Sequence, residues 1–135
     1  MQILIFEKQE RASLIWKRFL ARRGHKVTLS SRINEAASRL SLGHFDVFVI
    51  DACDNMEAAA TLTDLASFHN PDISNIVVTS GKFFADSSTF RLIPNLRGCV
   101  SSQIDPNDLL VIMEHYADRS LANHDHEVRP NQFLG

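Results

Sequence analysis

Short apolar runs alternate along this chain with segments of helical spacing, and that beat constrains its fold more than any other feature. Residues 2–6 (QILIF) are continuously apolar, as in a strand buried on both faces. Ala12, Ile15, Trp16, Phe19 and Leu20 then recur at helical spacing, and Gly24 stands where a helix C-terminus belongs. Val27–Leu29 is a short second strand. Ser31 is the expected N-cap of a helix carrying Ile33, Ala36, Ala37 and Leu40, which ends at Gly43. FDVFVID (45–51) is the strongest strand signal, β-branched and aromatic, and it ends in an acid. Residues 55–68 read as a third helix, halted before Pro71, and NIVVTS (75–80) as a fourth strand. Residues 83–97 suggest a short helix between loops, and GCVSS (98–102) a weak fifth strand. Asp105 and Pro106 are the N-cap and first residue of a last helix whose stripe is Leu109, Ile112, Met113 and Tyr116. The period stops after Asp118. This predicts a domain over 1–118 and a flexible tail over 119–135.

Strands alternating with helices build βαβ units, and these give a parallel sheet with helices on both faces. Ligands of such sheets sit at the C-terminal ends of the strands. The residues to examine are therefore Glu7 and Lys8, Asp51, Thr79 and Ser80, and Ser101 and Ser102.

Composition excludes several classes. With 14 basic and 16 acidic residues the net charge is −2, without the basic excess of a nucleic-acid binder. No apolar run approaches the roughly 18 residues of a membrane span. MQILIFEKQE lacks the basic region and the apolar length of a signal peptide. Cys53 and Cys99 make no disulfide framework, so a reducing, cytoplasmic setting is expected. Nucleotide enzymes on such sheets need a Gly-, Ser- or Thr-rich loop after the first strand, and here it reads EKQER. There is no GxSxG and no HxxxH. An independent enzyme is not expected.

From residue 1 to about 118 the chain resembles the receiver domains of two-component response regulators. FDVFVID resembles the strand that ends in the phosphoryl-accepting aspartate, here Asp51. IVVTS resembles the strand ending in the Thr or Ser that contacts the phosphoryl group, here Thr79. NLRGCVSSQIDPNDLL resembles the fifth strand and the start of the last helix, with Gly98 in register. The resemblance implies a flavodoxin-like doubly wound α/β fold: a five-stranded parallel sheet, order 2-1-3-4-5, with five helices. It implies Mg²⁺ held by Glu7, Asp51 and the backbone carbonyl of Cys53. The implied partners are a histidine kinase or phosphotransfer protein and a downstream protein target, without nucleic acid or membrane. Homodimerisation through the 83–97 segment, the fifth strand and the last helix is compatible with it.

The chain also departs from that family. Two adjacent acids usually follow the first strand; here Glu7 is followed by Lys8. The usual lysine ending the fifth strand is Ser102, and Gln103 replaces the proline after it. The aromatic switch position falls on Cys99, leaving Phe83, Phe84 or Phe90 to carry any conformational change. Metal and lysine normally offset the charge of the transferred group. The sequence therefore describes an atypical stand-alone receiver, with Mg²⁺ binding weakened by Lys8. The alternative is a pseudo-receiver: a constitutive interaction module with Lys8 as built-in cation. Cys53 and Cys99 read as small packing residues. His115, His124 and His126 do not read as a metal site. Lys17, Arg18, Arg22 and Arg23 read as a solvated helix face.

Overall fold

The structure, a computed structural model, describes residues 1–10, 12–52, 56–79 and 93–127, with side chains described to residue 116. Its elements are β1 (Gln2–Phe6), α1 (Ser13–Arg22), β2 (Lys26–Ser30), α2 (Ile33–Leu42), β3 (Val47–Asp51), α3 (Met56–His69), β4 (Ser74–Thr79), β5 (Leu96–Ser101) and α4 (Pro106–Glu127). The strands form one sheet in the order β2-β1-β3-β4-β5. Every neighbouring pair is parallel. This is the expected flavodoxin-like topology.

The continuous apolar runs follow from burial on both sides. Successive side chains of a strand point to opposite faces. Val47 and Val49 join Trp16, Leu20, Leu109 and Met113 on the α1/α4 face. Phe48 and Ile50 join Leu40, Leu62 and Ala66 on the α2/α3 face. A polar residue at either parity would be buried, so none appears between Val47 and Ile50.

Two helix ends match expectation. Gly24 follows α1 with φ +87°, a left-handed conformation that L side chains rarely adopt. Asp105 Oδ1 accepts from the Asn107 amide at 2.8 Å, one residue past Pro106, as an N-cap should. The α2 start differs. Its N-cap is Arg32, extended at φ −122° and ψ 139° and with no side-chain cap, not Ser31. The Glu7 amide donates to the Ser30 carbonyl at 3.1 Å, which prolongs the β1–β2 ladder and delays the helix.

Four helices occur among the described residues. Of the 83–97 segment, expected to hold a short helix between loops, residues 83–92 lie outside them, together with Phe83, Phe84 and Phe90. Its last part bends and turns over residues 93–95, and β5 begins at Leu96. Fully buried Asn75 holds that turn, its side-chain amide donating to the Pro94 carbonyl at 2.7 Å. Its backbone amide donates to Asn95 O, and Asn95 itself sits at φ 53°. At the other end, β5 stops at Ser101 and Ser102 falls in a turn. α4 continues past residue 118 to Glu127, so 119–127 of the expected tail are helical. Arg119, Leu121 and Ala122 are good helix formers, and propagation from a formed helix is cheap. No helix among the described residues is long and apolar enough to cross a membrane.

Candidate functional site

Register brings the selected strand ends together. Phe6 pairs with Ile50, Asp51 with Val78, and Thr79 with Ser101. The Ala52 amide donates to Val78 O at 2.8 Å and the Ser102 amide to Thr79 O at 3.2 Å. These bonds carry the ladder into the loops and hold the three strand ends level.

Glu7 follows β1 with the same parity as Ile3 and Ile5, which face α1. Its carboxylate turns toward that helix. Oε1 accepts from the Ala12 and Ser13 amides, both at 2.9 Å. The first amides of a helix have no intrahelical partner. α1 has Ala12 at its N-cap and no acid in its first turn. Glu7, at 6% exposure, is therefore a cap supplied from the preceding loop.

Asp51 ends the central strand, half-buried, and borders two clefts. One, of about 630 Å³, is lined by Glu7, Gln9, Ala12, Ile15, Trp16, Asp51, Ser102, Gln103, Ile104 and Pro106. The other, of about 780 Å³, is lined by Phe6, Lys8, Ser31, Arg32, Ile33, Asn34, Glu35, Asp51 and Ala58. Glu7, Asp51 and Ser102 thus share the first cleft, and Lys8 and Asp51 the second. The clefts differ in charge. Among the described residues, the first is lined by two acids and no cation. The second has Lys8 and Arg32 with Asp51 and Glu35. Arg32 was missed by sequence reasoning. It lies two residues beyond the C-terminal end of β2, and extending the strand-end rule to that strand would have selected it.

Thr79 is fully buried and lines neither cleft. Its Oγ1 lies 3.7 Å from Cys99 Sγ, in hydrogen-bonding contact. Cys99 pairs with Val77, so Thr79 is its diagonal neighbour on the same sheet face. A thiol thus stands beside Thr79 at the position where the family resemblance implies an aromatic. Burial pushes the Cys99 thiol above its ordinary 9.0, and the Thr79 hydrogen bond pulls the other way. Cys53 lies outside the described residues. Among the described residues no cluster of three or more His, Cys, Asp or Glu groups is placed to hold a metal. His115 packs edge-on against Tyr116, with centroids 5.1 Å apart.

No family model and no curated protein sequence matches the chain. Solved structures do. A CheY-like response regulator receiver domain protein from Methanospirillum hungatei superposes with TM-score 0.78 at 19% identity, over 90% of this chain and 97% of that one. The fold is that of response-regulator receiver domains. Two further neighbours carry different names. A response regulator from Thermotoga maritima, in complex with Mg²⁺ and a beryllium fluoride, gives TM-score 0.69 at 14% identity, over 85% of this chain and 97% of that one. An adenylate cyclase from Rhodopirellula baltica gives 0.79 at 14% identity, over 96% of each chain.

Proposed function

We propose that this chain is an atypical receiver that accepts a phosphoryl group on Asp51 from a histidine kinase or phosphotransfer protein. Its output is protein–protein interaction in the cytoplasm rather than turnover of a separate substrate. The placement of Asp51 carries this reading: a half-buried carboxylate ending the central strand, open to a cleft on either side. In the transfer, an Asp51 carboxylate oxygen bonds to phosphorus as the donor's bond to phosphorus breaks. The donor group leaves with its electron pair, and Asp51 becomes an acyl phosphate.

A divalent ion fits here as a weak site. Mg²⁺ keeps most of its water and takes one or two carboxylates. Glu7 and Asp51 line one cleft, and with Glu7 Oε1 engaged by two amides its Oε2 is the oxygen left to a ligand. The Cys53 carbonyl completes the proposed set, with Lys8 opposing it. Bound Mg²⁺ would offset the negative charge of the transferring group. Thr79 is proposed to reach the phosphoryl oxygen after giving up its contact with Cys99.

The test is intact-mass spectrometry after incubation with acetyl phosphate and Mg²⁺, beside Asp51→Ala. One phosphoryl adduct on the wild type and none on the variant supports the reading. A second reading is a pseudo-receiver, a constitutive interaction module. It is favoured by the use of Glu7 as a helix cap where a metal ligand is wanted. No adduct and no Mg²⁺ binding by calorimetry would select it.

A further inference from the structure

We infer that Lys8 and Arg32 form a phosphoryl-recognition subsite on the α2 side of Asp51, taking over the charge role of the lysine that Ser102 replaces. The inference rests on the proposal that Asp51 is the phosphoacceptor, and it names the side from which the phosphoryl group is held.

A carboxylate that takes up a phosphoryl group exchanges its single negative charge for the roughly two of a phosphoryl group at one strand end. Positive groups must stand close by, because a transferring phosphoryl is stabilised almost wholly by electrostatics and positioning. The β5 end supplies none: Ser102 and Gln103 are uncharged, and among the described residues no cation lines the cleft they share with Asp51. Among the described residues the positive side chains that share a cleft with Asp51 are Lys8 and Arg32, both in the other cleft. Their loops are tied to each other. The Glu7 amide donates to Ser30 O at 3.1 Å, and Ser30 Oγ donates to the Arg32 carbonyl at 3.3 Å. Lys8 and Arg32 therefore project from two adjoining strand ends that a backbone bond holds together. Ser31 and Asn34 add a hydroxyl and an amide to the same wall, and about 780 Å³ gives ample room for a phosphate. Among the described residues Glu35 is the one opposing acid besides Asp51 in this cleft. An arginine offers a planar fork to phosphate and a lysine a mobile point charge, so together they hold a dianion from two directions.

The test measures initial rates of adduct formation against acetyl phosphate concentration at fixed Mg²⁺, for the wild type, Lys8→Met, Arg32→Met and the double variant. Lys17→Met is the control, on α1 and outside both clefts. Each single substitution should raise the half-saturating concentration about fivefold to tenfold, and the pair more, with Lys8→Arg restoring most of it. A general loss of structure would not give that rescue. Wild-type-like curves in the double variant would overturn the subsite while leaving the Asp51 reading intact. If the wild type forms no adduct, that reading fails, and an amide NMR titration with inorganic phosphate decides the subsite alone. Shifts at Lys8 and Ser31–Asn34, lost in the double variant, support it. Shifts elsewhere only, or none, overturn it.

Discussion

Replacing Glu7 by alanine should cost this protein much of its stability, although the residue lies in a loop. The carboxylate has 6% exposure, and its Oε1 takes two backbone amides of α1 at 2.9 Å each. α1 has no other side-chain cap at its N-cap and no first-turn acid. A hydrogen bond to a charged group is worth about 1.5–3 kcal/mol, and a lost N-cap about 1–2 kcal/mol. Two bonds to one oxygen share a desolvation cost, so about 3 kcal/mol is expected for Glu7→Ala. Glu7→Gln keeps an oxygen acceptor but loses its charge, and about 1 kcal/mol is expected. Urea unfolding followed by circular dichroism reads both. With a slope of about 1.5 kcal/mol per molar urea, the midpoints should fall by about 2 M and about 0.7 M. A loss below about 0.5 kcal/mol for Glu7→Ala, within the range of ordinary surface substitutions, would refute the cap. The two variants also separate roles, since Glu7→Gln leaves a folded chain in which loss of Mg²⁺ affinity reports on the carboxylate itself.

Four further outcomes are expected. His25 is held below its ordinary 6.5 by burial and by the Met1 ammonium, which lies 3.1 Å from its Nδ1. The unfolded chain then binds the extra proton more readily, so this stability is full above pH 6.5 and lost as pH falls through the lower folded value; His25→Gln should flatten that part of a urea-midpoint pH profile. Cys99 should react more slowly with Ellman's reagent than a free thiol near pH 8, and Thr79→Val should slow it further by removing the hydrogen bond that favours the thiolate. Gly24→Ala should lower thermal stability by about 1 kcal/mol on backbone grounds alone, because a Cβ there meets nothing within 4 Å while φ is +87°. Met113→Ala, fully buried between α4 and the sheet, should cost about 2–5 kcal/mol in urea unfolding.

Much of the fold was legible because burial on both faces leaves an apolar run that no surface strand shows. QILIF and FDVFVID announce central strands, and the helical segments between them require parallel crossovers. The turn at Ile93–Asn95 was not legible, because its cause is Asn75, almost twenty residues away and fully buried. The start of α2 was misplaced by one residue, because Ser31 has the right chemistry but the ladder bond at Ser30 keeps the chain extended past it.

The sequence by itself determined the order of elements and which side chains end the strands, since hydrophobic period and strand polarity are local properties. It thereby placed Glu7, Asp51 and Thr79 at one edge of the sheet. Only the tertiary structure decided what those side chains face. Glu7 turns to amides five and six residues on, Thr79 meets Cys99 twenty residues away, and among the described residues the positive charge around Asp51 gathers on the α2 side. Such contacts depend on strand register and helix position together, and neither is written in any one segment of the chain.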